Sequence, residues 1–290
     1  MRAAIRVLLA ALCLATLWGC SNDATAPEDR IPPALPQVST MKPTLNFYGV
    51  AIPTVDPQTL ATGKAGDALL LDQTGDHSNF VNGVVRAFLL MFGAYDVLNE
   101  PIGAWAVAAN SLPTALDDDS YLWTYIFIDP DTGFEYSVFV YGNTHDGGPH
   151  DAYVDWRMEV SSNDPAQPLD HFVWLTGESL RDHTACFWQF YSPVNATDGV
   201  ESVHVDWNLL DGKETRLVLT VNGAGLPNEG DILTFNDNNP ESSIEYYDAS
   251  EDYLSTVVWR TNGSGSLHVP DYNGGATACW DQHQINTTCK

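Results

Sequence analysis

The sequence predicts a mainly β protein: an antiparallel meander forming a barrel or strongly curved sheet, with one or two N-terminal helices packed in or against it. Three observations predict it. From Tyr121 onward, runs of four to nine residues rich in Val, Tyr, Trp, Phe and Thr alternate with Gly/Asn/Asp/Pro clusters at hairpin spacing. The connections between these runs are short, so neighbouring strands run antiparallel. Ahead of them, residues 79–98 form a helical segment too apolar to leave open to water. About a dozen strands must hide their edges, and a greasy helix must find a home. A curved sheet with the helix at its mouth or on its concave face does both.

The strands are placed at 121–128, 134–141, 152–160, 170–176, 186–191, 201–209, 214–221, 231–235, 243–248, 254–260, 265–269 and 276–281, with an earlier one from Leu45 to Ile52. Two of them alternate cleanly. Val154, Trp156, Met158 and Val160 face one way while Asp155, Arg157 and Glu159 face the other; Val203, Val205, Trp207 and Leu209 likewise oppose His204, Asp206 and Asn208. Each sheet region therefore has one packed and one wet face. Asp129-Pro-Asp-Thr-Gly133 reads as a hairpin turn. Val154-Asp-Trp156 recurs as Val205-Asp-Trp207, 51 residues on, and Tyr121-Leu-Trp123 matches Phe172-Val-Trp174 at the same offset. One reused hairpin design explains this as well as duplication does.

In the helical segment, Phe80, Val84, Val85, Phe88, Leu89, Phe92 and Tyr95 fall near helical spacing, and Arg86 is the single cation. Pro101 starts a second piece through about Ser111, anchored by Trp105. The helical region as a whole runs from about 79 to 111, inside a single domain at 44–290.

The amino terminus reads as an export signal. Arg2 and Arg6 precede an uncharged apolar core from Val7 to Leu17 that is too short to span a bilayer as a helix. It ends Leu17-Trp18-Gly19-Cys20, which resembles the lipobox of bacterial lipoproteins cleaved by signal peptidase II. The resemblance implies cleavage after residue 19, a diacylglycerol on the Cys20 thiol and an acylated (typically palmitoylated) amino terminus. Ser21, in place of Asp, implies the outer membrane. Residues 20–43 hold five prolines and no apolar period, and read as a tether of ~3 Å per residue.

Residues 20–290 carry 10 Lys+Arg against 38 Asp+Glu, a net charge of −28. Such a surface repels nucleic acid and anionic lipid head groups, so acyl chains must supply the membrane affinity. With 44% hydrophobic and 11% aromatic residues over the whole sequence, the chain is not disordered.

Three cysteines follow Cys20. In an oxidising compartment Cys279 and Cys289, ten residues apart across a polar turn, pair as a staple, leaving Cys186 as a buried thiol. A zinc site from His183, Cys186, Cys279, His283 and Cys289 is the competing reading, against which export argues.

Catalytic motifs are absent: no G-x-S-x-G, H-E-x-x-H, P-loop or dinucleotide fingerprint occurs. Asp155 and Glu159 share a strand face but stand about 13 Å apart, beyond the roughly 5 to 9.5 Å that glycosidase pairs use. Asp155 and Asp206 approach only if their strands pair. Asp129, Asp131 and Glu135 offer oxygens to calcium, although a plain hairpin turn explains them better. No other cofactor is indicated.

The aromatic strands carry the rest. Trp123, Trp156, Trp174, Trp207 and Trp259 are most simply core; facing an open concavity with Tyr125, Tyr136 and Tyr141, they would stack on sugars or line a lipid pocket. Phe88, Phe92, Trp123, Trp156 and Trp207 are the residues placed to line a cavity between sheet and helix. Trp123-Thr-Tyr125, Val154-Asp-Trp156, Trp188-Gln-Phe-Tyr191 and Cys279-Trp280-Asp281 with Cys289, behind a tether and an apolar helix, resemble a group of Trp/Tyr-rich β-meander lipoproteins without an established function. At the level of architecture they also resemble lipoprotein carriers whose curved sheet is plugged by helices. Neither resemblance implies a functional residue.

The expectation is a non-enzymatic, membrane-anchored lipoprotein that binds an apolar ligand or partner between sheet and helix. A carbohydrate-binding or adhesive module, a carboxylate-based hydrolase and a purely structural coat domain are the alternatives.

Overall fold

Among the described residues, fourteen strands follow one another in a single antiparallel sheet, ordered β1 to β14 without a crossover. They are β1 (Thr114–Ala115), β2 (Ser120–Ile128), β3 (Glu135–His145), β4 (Tyr153–Ser162), β5 (Leu169–Leu180), β6 (Ala185–Tyr191), β7 (Glu201–Leu210), β8 (Glu214–Val221), β9 (Ile232–Asn238), β10 (Glu241–Asp248), β11 (Tyr253–Arg260), β12 (Gly265–His268), β13 (Ala278–Trp280) and β14 (Asn286–Thr287). The sheet is not closed: β1 and β14 are its two edges, so it is a strongly curved sheet rather than a barrel. Among the described residues two α-helices precede it, α1 (Ser78–Tyr95) and α2 (Asn99–Ala108). This computed structural model describes residues 31–47, 75–95, 98–117, 119–128, 133–146, 152–166, 168–192, 201–210, 214–223, 226 and 228–289, without the side chains of 92–95. Cys20, the export signal, Asp129 and Asp131 lie outside the described residues, as does the Phe92 side chain. Among the described residues no helix is long and apolar enough to cross a membrane.

The period-two alternation puts one sheet face into a continuous core. Val138 and Val140, Trp156 and Met158, Trp188 and Phe190, Val203 and Val205, Leu217 and Leu219, Leu233 and Val257 are all buried. α1 lays its Phe80, Val84, Ala87 and Met91 stripe on this face, over the strands from β11 to β14. Gly83 is what lets it come close: a Cβ there would sit 2.7 Å from the Trp280 ring. α2 buries Ile102, Ala104, Trp105 and Ala108 near β2 and β3. The Trp105 ring meets those of Trp156 and Trp188 edge-on, at centroid distances of 5.4 and 5.1 Å.

Two corrections concern the amino-terminal stretch. The residues from Pro32 to Pro43, expected to be tether, belong to the compact unit Pro32–Lys290. Val38–Thr40 is a short 3-10 helix, Met41 is fully buried, and Pro36 accepts a hydrogen bond from Trp105 Nε1. Pro-rich composition marked missing periodicity, but this segment makes its contacts through tertiary packing. Of the strand expected from Leu45 to Ile52, Leu45–Phe47 is not strand and the remainder lies outside the described residues; Phe47 is a plug whose ring lies 4.5 Å from that of Trp259.

The two edges are finished differently. At the C-terminal edge a disulfide joins Cys279 to Cys289. Asn286 on β14 caps α1 there, accepting from Asn79 N–H through Oδ1 and donating from Nδ2 to Ser78 Oγ. At the other edge β1 pairs with Tyr121 and Leu122 of β2, and the Leu116 N–H just after it donates to the Ser120 carbonyl.

Candidate ligand cleft

The inward row of β2 loses its cover step by step. Tyr121 and Trp123 are buried, Tyr125 is half-buried, and Phe127 is 38% exposed. The row ends in a cleft of about 460 Å³ between α2 and the sheet, lined by Gly103, Ala104 and Val107 of the helix and by Tyr125, Phe127, Tyr136 and Trp174 of the strands. Asn99 and Glu100 stand at its helical rim.

Each wall has a local cause. Pro101 falls in the first turn of α2, where its missing N–H costs nothing, and Glu100 there suits the positive end of the helix dipole. Trp105 anchors one face of α2, which leaves Gly103 and Val107 on the other. Around the Cβ position of Gly103 there is open space. Tyr125 Oη donates to the Ala104 carbonyl at 2.7 Å and so clips β2 to the helix. Burial pushes its phenol well above the usual range, so it stays a donor. Phe127 and Tyr136 are direct cross-strand partners, and their rings stack at 4.8 Å and 8°. Tyr125, two residues earlier on β2, lies 6.3 Å from Phe127. Trp174 arrives by a bulge. Met158 pairs with Leu175 and Glu159 with Val173, so Trp174 is the extra residue, and both it and Leu175 are buried. Behind the helix, Lys42 Nζ donates to Asn99 Oδ1 at 2.9 Å, tying the amino-terminal segment to the rim.

The residues expected to line a cavity sit elsewhere. Trp123, Trp156 and Trp207 are buried in the core, 3%, 2% and 8% exposed. Trp123 lies on the strand that leads to the cleft, two residues before Tyr125. Phe88 packs against Phe47. Of the three tyrosines named with them, Tyr125 and Tyr136 line the cleft, while Tyr141 is on the outer face beside Arg157 and Glu159. Phe127 shares the parity of Trp123 and Tyr125, and was legible from it. The sequence offers Trp174 as core or pocket lining, but the bulge that turns it inward leaves no mark in the alternation.

On the outer face the carboxylates are already engaged. Asp155 pairs with His145 at 2.8 Å, and Glu159 holds Arg157 at 2.6 Å and His171 at 2.9 Å. His204 lies between Glu201 and Asp206, 3.1 and 3.3 Å away. β4 and β7, the strands of Asp155 and Asp206, do not pair: β5 and β6 lie between them. Three strand spacings are ~14 Å, so these two carboxylates cannot flank one bond. Cys186 is a buried free thiol near Thr40, and burial pushes it up to about 12. The disulfide takes both C-terminal sulfurs from the zinc reading. Of the calcium trio only Glu135 is described, at the start of β3 with its N–H bonded to Asn163 Oδ1.

No protein-family profile matches this chain, and comparisons with curated proteins and with solved structures find no significant similarity.

Proposed function

We propose that the protein is a non-enzymatic lipoprotein, exported and anchored through acyl chains on Cys20, whose cleft between α2 and the sheet takes up an apolar ligand. The cleft itself carries this reading. Its volume of about 460 Å³ falls within the roughly 300 to 1,000 Å³ of small-molecule sites, and aromatic and aliphatic side chains with a few polar rim groups are their usual lining. An outer-membrane address follows from Ser21 beside the lipobox, and the stretch before Pro32 is the tether. With a net charge of −28 after residue 19, the acyl chains supply the membrane affinity.

The lining favours an apolar ligand over a sugar. Sugars stack on open ring faces, but one face of Phe127 is taken by Tyr136 and Trp174 is buried.

The test uses chain beginning at Ser21, purified without detergent. An apolar dye such as ANS should bind and be displaced by fatty acids, and native mass spectrometry should find co-purifying lipid. A dye-blind, lipid-free protein refutes the reading; hits on a glycan array with no dye binding would establish the sugar reading instead.

A further inference from the structure

We propose that the open edge of β2, from Trp123 to Ile128, docks an extended peptide of another protein, one with alternating apolar side chains and basic flanks. The proposal stands independently of what fills the cleft. β2 pairs with β3 along all nine of its residues, but with β1 only at Tyr121 and Leu122. Among the described residues, no backbone partner meets the other side of Trp123–Ile128. That side is a row of free N–H and C=O groups, the template on which a further strand adds.

Exposed edges are normally blunted by Lys, Pro, a bulge or a cover. Among the described residues this edge has none of them. Ser120–Ile128 contains no charged residue and no proline, and the register shifts of the sheet fall in the β4–β5 and β6–β7 pairs. Both edges end in a two-residue strand, but the opposite one is also held by a disulfide and by the Asn286 contacts to α1. The long open run is therefore left on the β2 side alone among the described residues.

The side chains specify the partner. Ile126 and Ile128 stand 64% and 63% exposed on the outer face, while Tyr125 and Phe127 occupy the inner one. An added strand with apolar residues covers both rows. Charge selects its ends: the uncharged run is bracketed by exposed carboxylates, Asp119 before it and Glu135 opposite Ile128, with Glu100 at the cleft rim. Basic flanks complement that frame. A second copy does not. Pairing β2 with itself about a twofold axis brings Asp119 of each copy towards the Glu135 end of the other, between two strongly acidic bodies.

The test is fluorescence polarisation with labelled Lys-Lys-Val-Thr-Val-Tyr-Val-Thr-Lys-Lys on the full chain in detergent, read beside hydrogen exchange. Binding should slow the amides of Thr124, Ile126 and Ile128, which point to the open edge, and leave those of β9 and β10 unchanged. Glu in place of the four Lys should weaken it roughly tenfold at low salt. N-methylation of the central residues should abolish it. The double variant I126K/I128K, altered only at exposed side chains, should weaken it too. Undetectable binding, equal binding of the N-methylated peptide, or protection away from β2 overturns the proposal. So does concentration-dependent dimerisation that protects β2 without peptide, which would assign the edge to a second copy.

Discussion

The Trp156 indole lies over Gly142, the residue directly opposite it on β3: a Cβ built on Gly142 would stand 2.7 Å from the ring. The motif repeats along the row. Trp156 also faces Gly177 on β5, and Gly177 faces Trp188 on β6. At the far end Gly265 lies between Trp259 and Trp280. Glycine weakens a strand, but here its missing side chain makes room for a flat indole that covers the exposed backbone. Trp156 is further fixed by its Nε1–H bond to Ser179 Oγ, so the ring cannot swing aside.

Gly142→Ala and Gly177→Ala should therefore destabilise, although alanine ordinarily improves on glycine in a strand. At Gly177 the added methyl would meet Trp188 at 2.3 Å and the Phe187 carbonyl oxygen at 2.5 Å. Overpacking of this kind costs about 1 to 3 kcal/mol. Urea unfolding measures it; an unchanged or higher midpoint contradicts the packing described.

Gly103 should respond in the opposite way. Nothing stands within 4 Å of its Cβ position, so Gly103→Ala should gain about 0.5 to 1 kcal/mol of helix stability. Gly103→Leu should fill the cleft. Dye binding lost with the melting temperature kept would tie uptake to this cleft; binding retained in the leucine variant would place it elsewhere.

The disulfide should act locally. Replacing Cys279 and Cys289 by alanine opens a loop with a sequence separation of 10 and should cost about 2 to 3 kcal/mol. Faster exchange should appear first in β13, β14 and the N-terminal turn of α1, because Asn286 caps that helix. Uniform loss over the whole sheet would show that the edge is not an independent unit.

Cys186 supplies a pH signature. Burial holds its thiol neutral up to about pH 12, from an ordinary value of 9.0. A raised folded-state pKa contributes stability that is present below the unfolded value and lost as pH rises from about 9 towards 12. Tyr125, also pushed up by burial, adds in the same direction. Iodoacetamide near ~pH 8 should label Cys186 in urea and spare it in the native protein; rapid native labelling would place the thiol at the surface.

Much of the fold was legible because the signals are local. Every strand placed from Tyr121 onward exists, and both helices start within two residues of the expected position. β1 and β14 went unread because two residues carry no alternation. The cleft was half legible. A binding space between helix and sheet was expected on Phe88, Phe92, Trp123, Trp156 and Trp207, whereas the cleft is lined by Phe127 together with Tyr125, Tyr136 and Trp174, the last three offered by the sequence only as members of an open concavity. Parity tells which face a residue takes. It does not tell how far along the strand the cover extends.

The sequence by itself determined which of the longer segments from Tyr121 onward are strands, which face of the cleanly alternating ones is apolar, and which cysteines are close enough to bridge, since these depend on a period of two and on short separations. Only the tertiary structure decided where the sheet stops being covered. α2 reaches Tyr125 but leaves Phe127 open, a bulge turns Trp174 inward, and Pro32–Phe47 fills the core between strands far apart in sequence. Such depths come from curvature and long-range packing, and no local pattern encodes them.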